Sequence, residues 1–133
     1  MKKKICIIIA NYYPKVAKDL LLGATLELKK IKKINTKIIY VPGIFEIPLT
    51  ISKNLKSFDG FIALGCVIKG KTPHFDFISS STFNAIMHLS ITNKKPIGNG
   101  IITCLNKKQS LERSNPNKKN KGGESAKALL SIL

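Results

Sequence analysis

Apolar positions along this chain alternate between two rhythms. Ile5–Ala10 and, within the strand Phe61–Ile68, Ala63–Ile68 are short apolar runs, the pattern of strands buried on both faces, and Thr36–Val41 and Ile97–Thr103 read as two further strands. Between them the spacing changes. Apolar residues at 16, 17, 20, 21, 24, 28 and 31 draw one helical stripe, and Phe45–Leu55 and Phe75–Ile91 read as two more helices. Lys107–Arg113 reads as a short helix, and Glu124–Leu133 as a terminal amphipathic one. Pro42-Gly43, Asp59-Gly60 and Lys94-Lys95-Pro96 punctuate the elements. Gly98-Asn99-Gly100 reads as an interruption of the last strand, and Asn115–Gly123 as a polar, lysine-rich loop.

Strict alternation of strand and helix predicts a parallel sheet covered on both faces through right-handed crossovers. No linker or repeat divides the chain, so residues 1–133 read as one domain. Ligands of such sheets sit beyond the carboxyl ends of the strands. Those ends fall at Asn11–Pro14, Pro42–Glu46, Lys69–His74 and Cys104–Asn106.

Composition narrows this picture. A hydrophobic content of 44% and a mean hydropathy of +0.05 fit a folded chain with a real core. The apolar runs are too short to span a membrane, and the basic start MKKK followed by Ile5–Ala10 is too short for a signal peptide. The reading therefore places the protein in the cytoplasm, with no membrane partner. Cys6, Cys66 and Cys104 lie in or beside apolar runs, without metal-type spacing, and read as small buried hydrophobes. The net charge of +16 comes from 23 basic and 7 acidic residues. Only Arg113 among the basic residues is an arginine, whereas forked contacts to phosphate and guanine favour arginine. Scattered lysines read as compositional drift rather than a specific nucleic-acid surface, although they steer anionic substrates.

The richest stretch is GFIALGCVIKGKTPHFDF, residues 60–77. A strand runs into a basic, glycine-containing turn and restarts as a helix. Thr72 suits a cap, Pro73 the first helical position, and the helix start suits an anion. Lys69, Lys71 and Thr72 thus outline a phosphate cradle, with the His74 imidazole in reach to move protons near neutral pH. His88, mid-helix, reads as a packing or surface residue. Tyr12 and Tyr13 could stack a flat heterocycle. Glu46, set between Phe45 and Ile47, reads as a helix-start acid that can also accept from a polyol or amine. Arg113 offers a planar fork for phosphate. No GxGxxG follows the first strand, and no serine elbow is present. What remains is a cofactor-free reaction on a phosphorylated small molecule.

NYYPKVAKDLLLGA, VPGIFEIP, GCVIKGKTPHFDF, GNGIIT, LERS and NKGGESAKALL occur in an order and spacing that resemble the lumazine synthase family over nearly the whole chain. The resemblance implies a flavodoxin-like three-layer α/β/α sandwich on a four-stranded parallel sheet. It implies condensation of 5-amino-6-(D-ribitylamino)uracil with 3,4-dihydroxy-2-butanone 4-phosphate to 6,7-dimethyl-8-ribityllumazine, phosphate and water, the penultimate step of riboflavin biosynthesis, with no metal or cofactor. By the same resemblance Tyr12 stacks on the pyrimidine, and Ile44, Phe45 and Glu46 hold the ribityl chain. Cys66, Val67 and Ile68 present backbone to the pyrimidine edge. Lys71 and Thr72 form the phosphate turn, and His74 transfers protons. Asn99 and Arg113 reach a neighbouring subunit's site, Arg113 on phosphate, and Lys121 matches a lysine near it. A homo-oligomer follows, a pentamer or a shell of pentamers, with association with riboflavin synthase. The reading expects no N-terminal segment adding to a neighbour's sheet. Tyr12 replaces the commoner Phe, Asn99 stands where many members carry Phe, Lys69 replaces a frequent Arg, and Lys71 adds a charge. The alternatives are a riboflavin synthase of the related type, using the lumazine as substrate, and a basic nucleic-acid-binding protein.

Overall fold

In the computed structural model, which describes residues 2–133, four strands form one all-parallel sheet in the order β2-β1-β3-β4. They are β1 (Lys3–Ala10), β2 (Ile34–Val41), β3 (Gly60–Ile68) and β4 (Ile97–Cys104). The helices are α1 (Pro14–Lys29), α2 (Ile47–Asn54), α3 (His74–Asn93), α4 (Lys107–Ser114) and α5 (Lys121–Ile132), with a 3-10 turn over Ile44–Glu46 before α2.

The two uninterrupted apolar runs explain the centre. β1 and β3 lie side by side, and Ile5–Ala10 and Phe61–Leu64 are buried because helices cover both faces. One face sends Ile5, Ile7, Ile9, Ile62, Leu64, Cys66, Ile102 and Cys104 against α1 and α5. The other sends Cys6, Ile8, Ala10, Phe61, Ala63 and Ile101 towards the α2 and α3 side, where Ile47, Ile51 and Ile86 meet them. This is the flavodoxin-like α/β/α sandwich that alternation and resemblance both predict. β2 is an edge strand, and Ile38 and Tyr40 remain exposed on it. Among the described residues no helix is long and apolar enough to cross a membrane.

Three local readings are corrected. β4 is not interrupted, since Gly98 and Gly100 lie inside it. They are glycines because neighbouring elements come against them: a Cβ on Gly98 would strike the Ser125 carbonyl of α5, and one on Gly100 would sit 2.5 Å from Leu64 Cδ2 and 2.7 Å from Ser125 Oγ. Helix α5 starts at Lys121, three residues before the predicted start. Asn120 adopts the left-handed region (φ 48°) and accepts from Gly123 N at 3.2 Å, so the two glycines belong to the first turn rather than to the loop. Finally, Thr72 caps nothing. Pro73 occupies the cap position without a side-chain hydrogen bond, and α3 begins at His74, one residue later than Thr72 could serve. The Asp76 and Phe77 amides are satisfied by Pro73 O at 3.1 and 3.2 Å.

Candidate active site

The strand order reverses between β1 and β3, and at such a switch point the loops leaving neighbouring strands part and open a crevice. A cavity of about 640 Å³ lies there. β3 supplies its floor through Cys66, Val67 and Ile68. The loop after β1 supplies Tyr12 and Tyr13, the turn after β2 supplies Ile44, Phe45 and Glu46, and the turn after β3 supplies Gly70 and Thr72, followed by His74 at the start of α3.

Each wall has a physical cause. The rings of Tyr12 and Tyr13 meet edge to face, with centroids 4.9 Å apart at 78°. Tyr13 packs partly against the core, and burial raises its hydroxyl pKa. Tyr12 is 71% exposed and Phe45 68%, so two aromatic surfaces are open at the cavity mouth. Glu46 folds back, its Oε1 accepting from Gly43 N at 3.0 Å across the 3-10 turn, and its second oxygen has no hydrogen-bond partner among the described residues. Thr50 Oγ1 secures the Glu46 carbonyl at 2.8 Å. His74 and Thr72 are exposed at the rim, where the start of α3 leaves backbone donors free and favours an anion.

Asn99, Arg113 and Lys121 are not in this cavity. They line a second opening of about 290 Å³ on the β4 side with Thr103, Glu124 and Ser125. Arg113 is held, not loose: its NH1 donates to Thr103 O at 2.7 Å. Asn99 Oδ1 accepts from Ile101 N at 3.1 Å, and Lys121 Nζ pairs with Glu124 at 3.3 Å. Lys71 is exposed and lines neither opening. His88 is exposed, 3.5 Å from Thr92 Oγ1.

The three cysteines are free and buried. Burial pushes the Cys6 thiol up to about 11. Cys66 and Cys104 behave differently because they meet. The hydrogen bond between them, then burial, raises the Cys66 thiol, while the same bond and the adjacent Arg113 guanidinium lower Cys104 against its burial. Their meeting was not legible in the chain, since it depends on strand register. Phe75 and Ile78 also line the first cavity; their one signal was position, in the turn of helix directly after His74. Among the described residues no group of three or more His, Cys, Asp or Glu could hold a metal ion.

Residues 2–133 match the family model described as 6,7-dimethyl-8-ribityllumazine synthase. Among curated relatives of that name, the protein of Bartonella tribocorum is 41% identical over 138 residues, covering 100% of this chain and 91% of its own length. That of Buchnera aphidicola subsp. Baizongia pistaciae is 42% identical, covering 99% and 86%. The enzyme designated 6,7-dimethyl-8-ribityllumazine synthase 1 of Rhodopseudomonas palustris is 38% identical, covering 98% and 83%.

Proposed function

The chain belongs to the 6,7-dimethyl-8-ribityllumazine synthase family and condenses 5-amino-6-(D-ribitylamino)uracil with 3,4-dihydroxy-2-butanone 4-phosphate; we propose that it does so in the cavity between Tyr12 and His74, completed by a second copy of the chain. One observation carries the proposal. Residues from three strand ends converge on one cavity, while Arg113, Asn99 and Lys121 surround a separate opening of the same chain. A site that uses both sets takes them from two subunits, which favours a ring, here a pentamer or a shell built from pentamers.

In this reading the pyrimidine stacks on Tyr12 with its edge along the backbone of Cys66–Ile68, and the ribityl hydroxyls meet Glu46 and the Ile44-Phe45 backbone. The phosphate lies at Thr72 and the start of α3, with Lys71 nearby and Arg113 arriving from the neighbour. The amine adds to the ketone, water and phosphate leave, and the ring closes. His74 moves protons between the amine and the departing groups. Both substrates are reactive in themselves, so holding them together supplies most of the rate. The enzyme works in the cytoplasm as one folded unit and passes its product to riboflavin synthase by association or diffusion.

The test is a two-substrate incubation followed by absorbance of the lumazine chromophore. The chromophore forms from the pair, and incubation with the lumazine alone yields no riboflavin; the reverse result assigns the related synthase instead. His74→Ala in the same assay lowers kcat by about a hundredfold without abolishing turnover. Complete loss with unchanged substrate binding would contradict the emphasis on positioning. A charge of +16 on each chain opposes association until ions screen it. Light scattering therefore shows larger particles as phosphate or salt is raised, and one size at every ionic strength would refute this.

A further inference from the structure

We propose that Tyr13 is a positioning residue: it sets the plane of the Tyr12 ring, so that this ring faces the Tyr12–His74 cavity and receives the flat pyrimidine. The inference rests on the reading that the pyrimidine stacks on Tyr12.

The backbone on either side of the two rings is fixed. Asn11 N donates to Val41 O at 2.9 Å, which ties the start of the loop to the end of β2. Pro14 opens α1 and confines the residue before it to extended backbone, and Tyr13 lies there at φ −112° and ψ 95°. The Tyr13 carbonyl accepts from Ala17 N at 2.9 Å, the first bond of the helix.

The two side chains differ in what holds them. Tyr13 is half-buried and packs against the core that the sheet shares with α1 and α5. Tyr12 is exposed. A side chain open to water is shared among about three staggered χ1 wells unless a neighbour selects one. Tyr13 is that neighbour, since the two rings meet edge to face, 4.9 Å between centroids. The positive edge of one ring attracts the negative face of the other, so the contact fixes an angle as well as a distance. The core therefore holds Tyr13, and Tyr13 holds Tyr12. Both rings line the cavity whose floor includes Cys66.

This chain of contacts acts on affinity. Only molecules whose Tyr12 faces the cavity bind the pyrimidine, and apparent affinity falls with their fraction. Spreading Tyr12 over three equal wells costs roughly threefold, and an aromatic pair is worth up to roughly tenfold. The phosphate end of the cavity comes from another strand end, through Thr72 and the start of α3, so the effect falls on the pyrimidine alone.

Titration calorimetry with the pyrimidine and with the butanone phosphate, each alone, tests this on Tyr13→Leu and Tyr13→Met. Both keep an apolar side chain on the core and remove the ring, and circular dichroism identifies the variants that retain the fold. The pyrimidine weakens about fivefold and the butanone phosphate stays within about twofold. Tyr13→Phe restores most of the lost affinity. In the Tyr12→Leu background, adding Tyr13→Leu costs the pyrimidine nothing further, because a residue that acts through Tyr12 is silent without it. Tyr12→Leu alone weakens the pyrimidine. Given that weakening, unchanged pyrimidine affinity in the Tyr13 variants, equal weakening of both substrates, no recovery in Tyr13→Phe, or a further loss in the double variant would overturn the inference and leave the stacking reading standing. If Tyr12→Leu alone leaves the pyrimidine unchanged, the stacking reading falls and this inference with it.

Discussion

Arg113→Ala weakens binding of the phosphorylated butanone by about a hundredfold and leaves the pyrimidine within about threefold. Charge-assisted hydrogen bonds are worth roughly 1.5–3 kcal/mol each, and a forked guanidinium makes two to phosphate. Arg113 is suited to this because NH1 is tethered to Thr103 O at 2.7 Å, which fixes the plane of a group that carries five N–H donors. Lysine cannot reproduce both the tether and the fork, so Arg113→Lys recovers only part of the loss. Titration calorimetry with each substrate separately decides the matter. Equal weakening of both substrates would remove Arg113 from the phosphate.

The second large effect is on folding. Gly122→Ala lowers the midpoint of thermal unfolding by roughly 10 °C, a loss of about 3 kcal/mol. Helices α1 and α5 cross so closely that a Cβ on Gly122 would lie 2.8 Å from the Leu20 carbonyl carbon and 2.9 Å from its Cα. Those are backbone atoms of a buried helix, so no flexible side chain can yield. Relief requires α5 to move outward, and α5 carries Ala126 and Leu129 into the core. Gly70→Ala is the control for stability, since nothing lies within 4 Å of the added carbon, and it shifts the midpoint little. Equal shifts in the two variants would show that the helix crossing tolerates more than its spacing suggests.

The layered fold was legible because a strand buried on both faces must be apolar at every position, and Ile5–Ala10 and Phe61–Ile68 advertise that directly. The misreadings share a cause. Gly98 and Gly100 look like a break to any local rule, yet they stay in the strand because Ser125 arrives from a distant helix. Gly122 looks like a loop for the same reason, with Leu20 as its distant partner, while a Cβ on Gly123 would meet the side chain of its own cap residue, Asn120. Local patterns report turn chemistry, and they do not report which backbone will come against a missing Cβ. Thr72 has a capping side chain, but Pro73 takes the cap position and leaves it outside the helix. At the cavity, the rule that strand ends hold ligands brought Tyr12, Glu46 and His74 into view together. Arg113 was visible by its rarity among lysines. The contact of Cys104 with Cys66 was invisible, because it is fixed by the register of β3 on β4.

The turn at Glu46 has a consequence for how tightly a polyol can be held. A glutamate free to rotate in water surrenders up to about 2 kcal/mol of rotamer freedom when a ligand immobilises it. Glu46 has already made that sacrifice during folding, because Gly43 N pins one carboxylate oxygen at 3.0 Å. A hydroxyl meeting the other oxygen orders no further side chain, so more of the hydrogen bond's strength is retained as affinity.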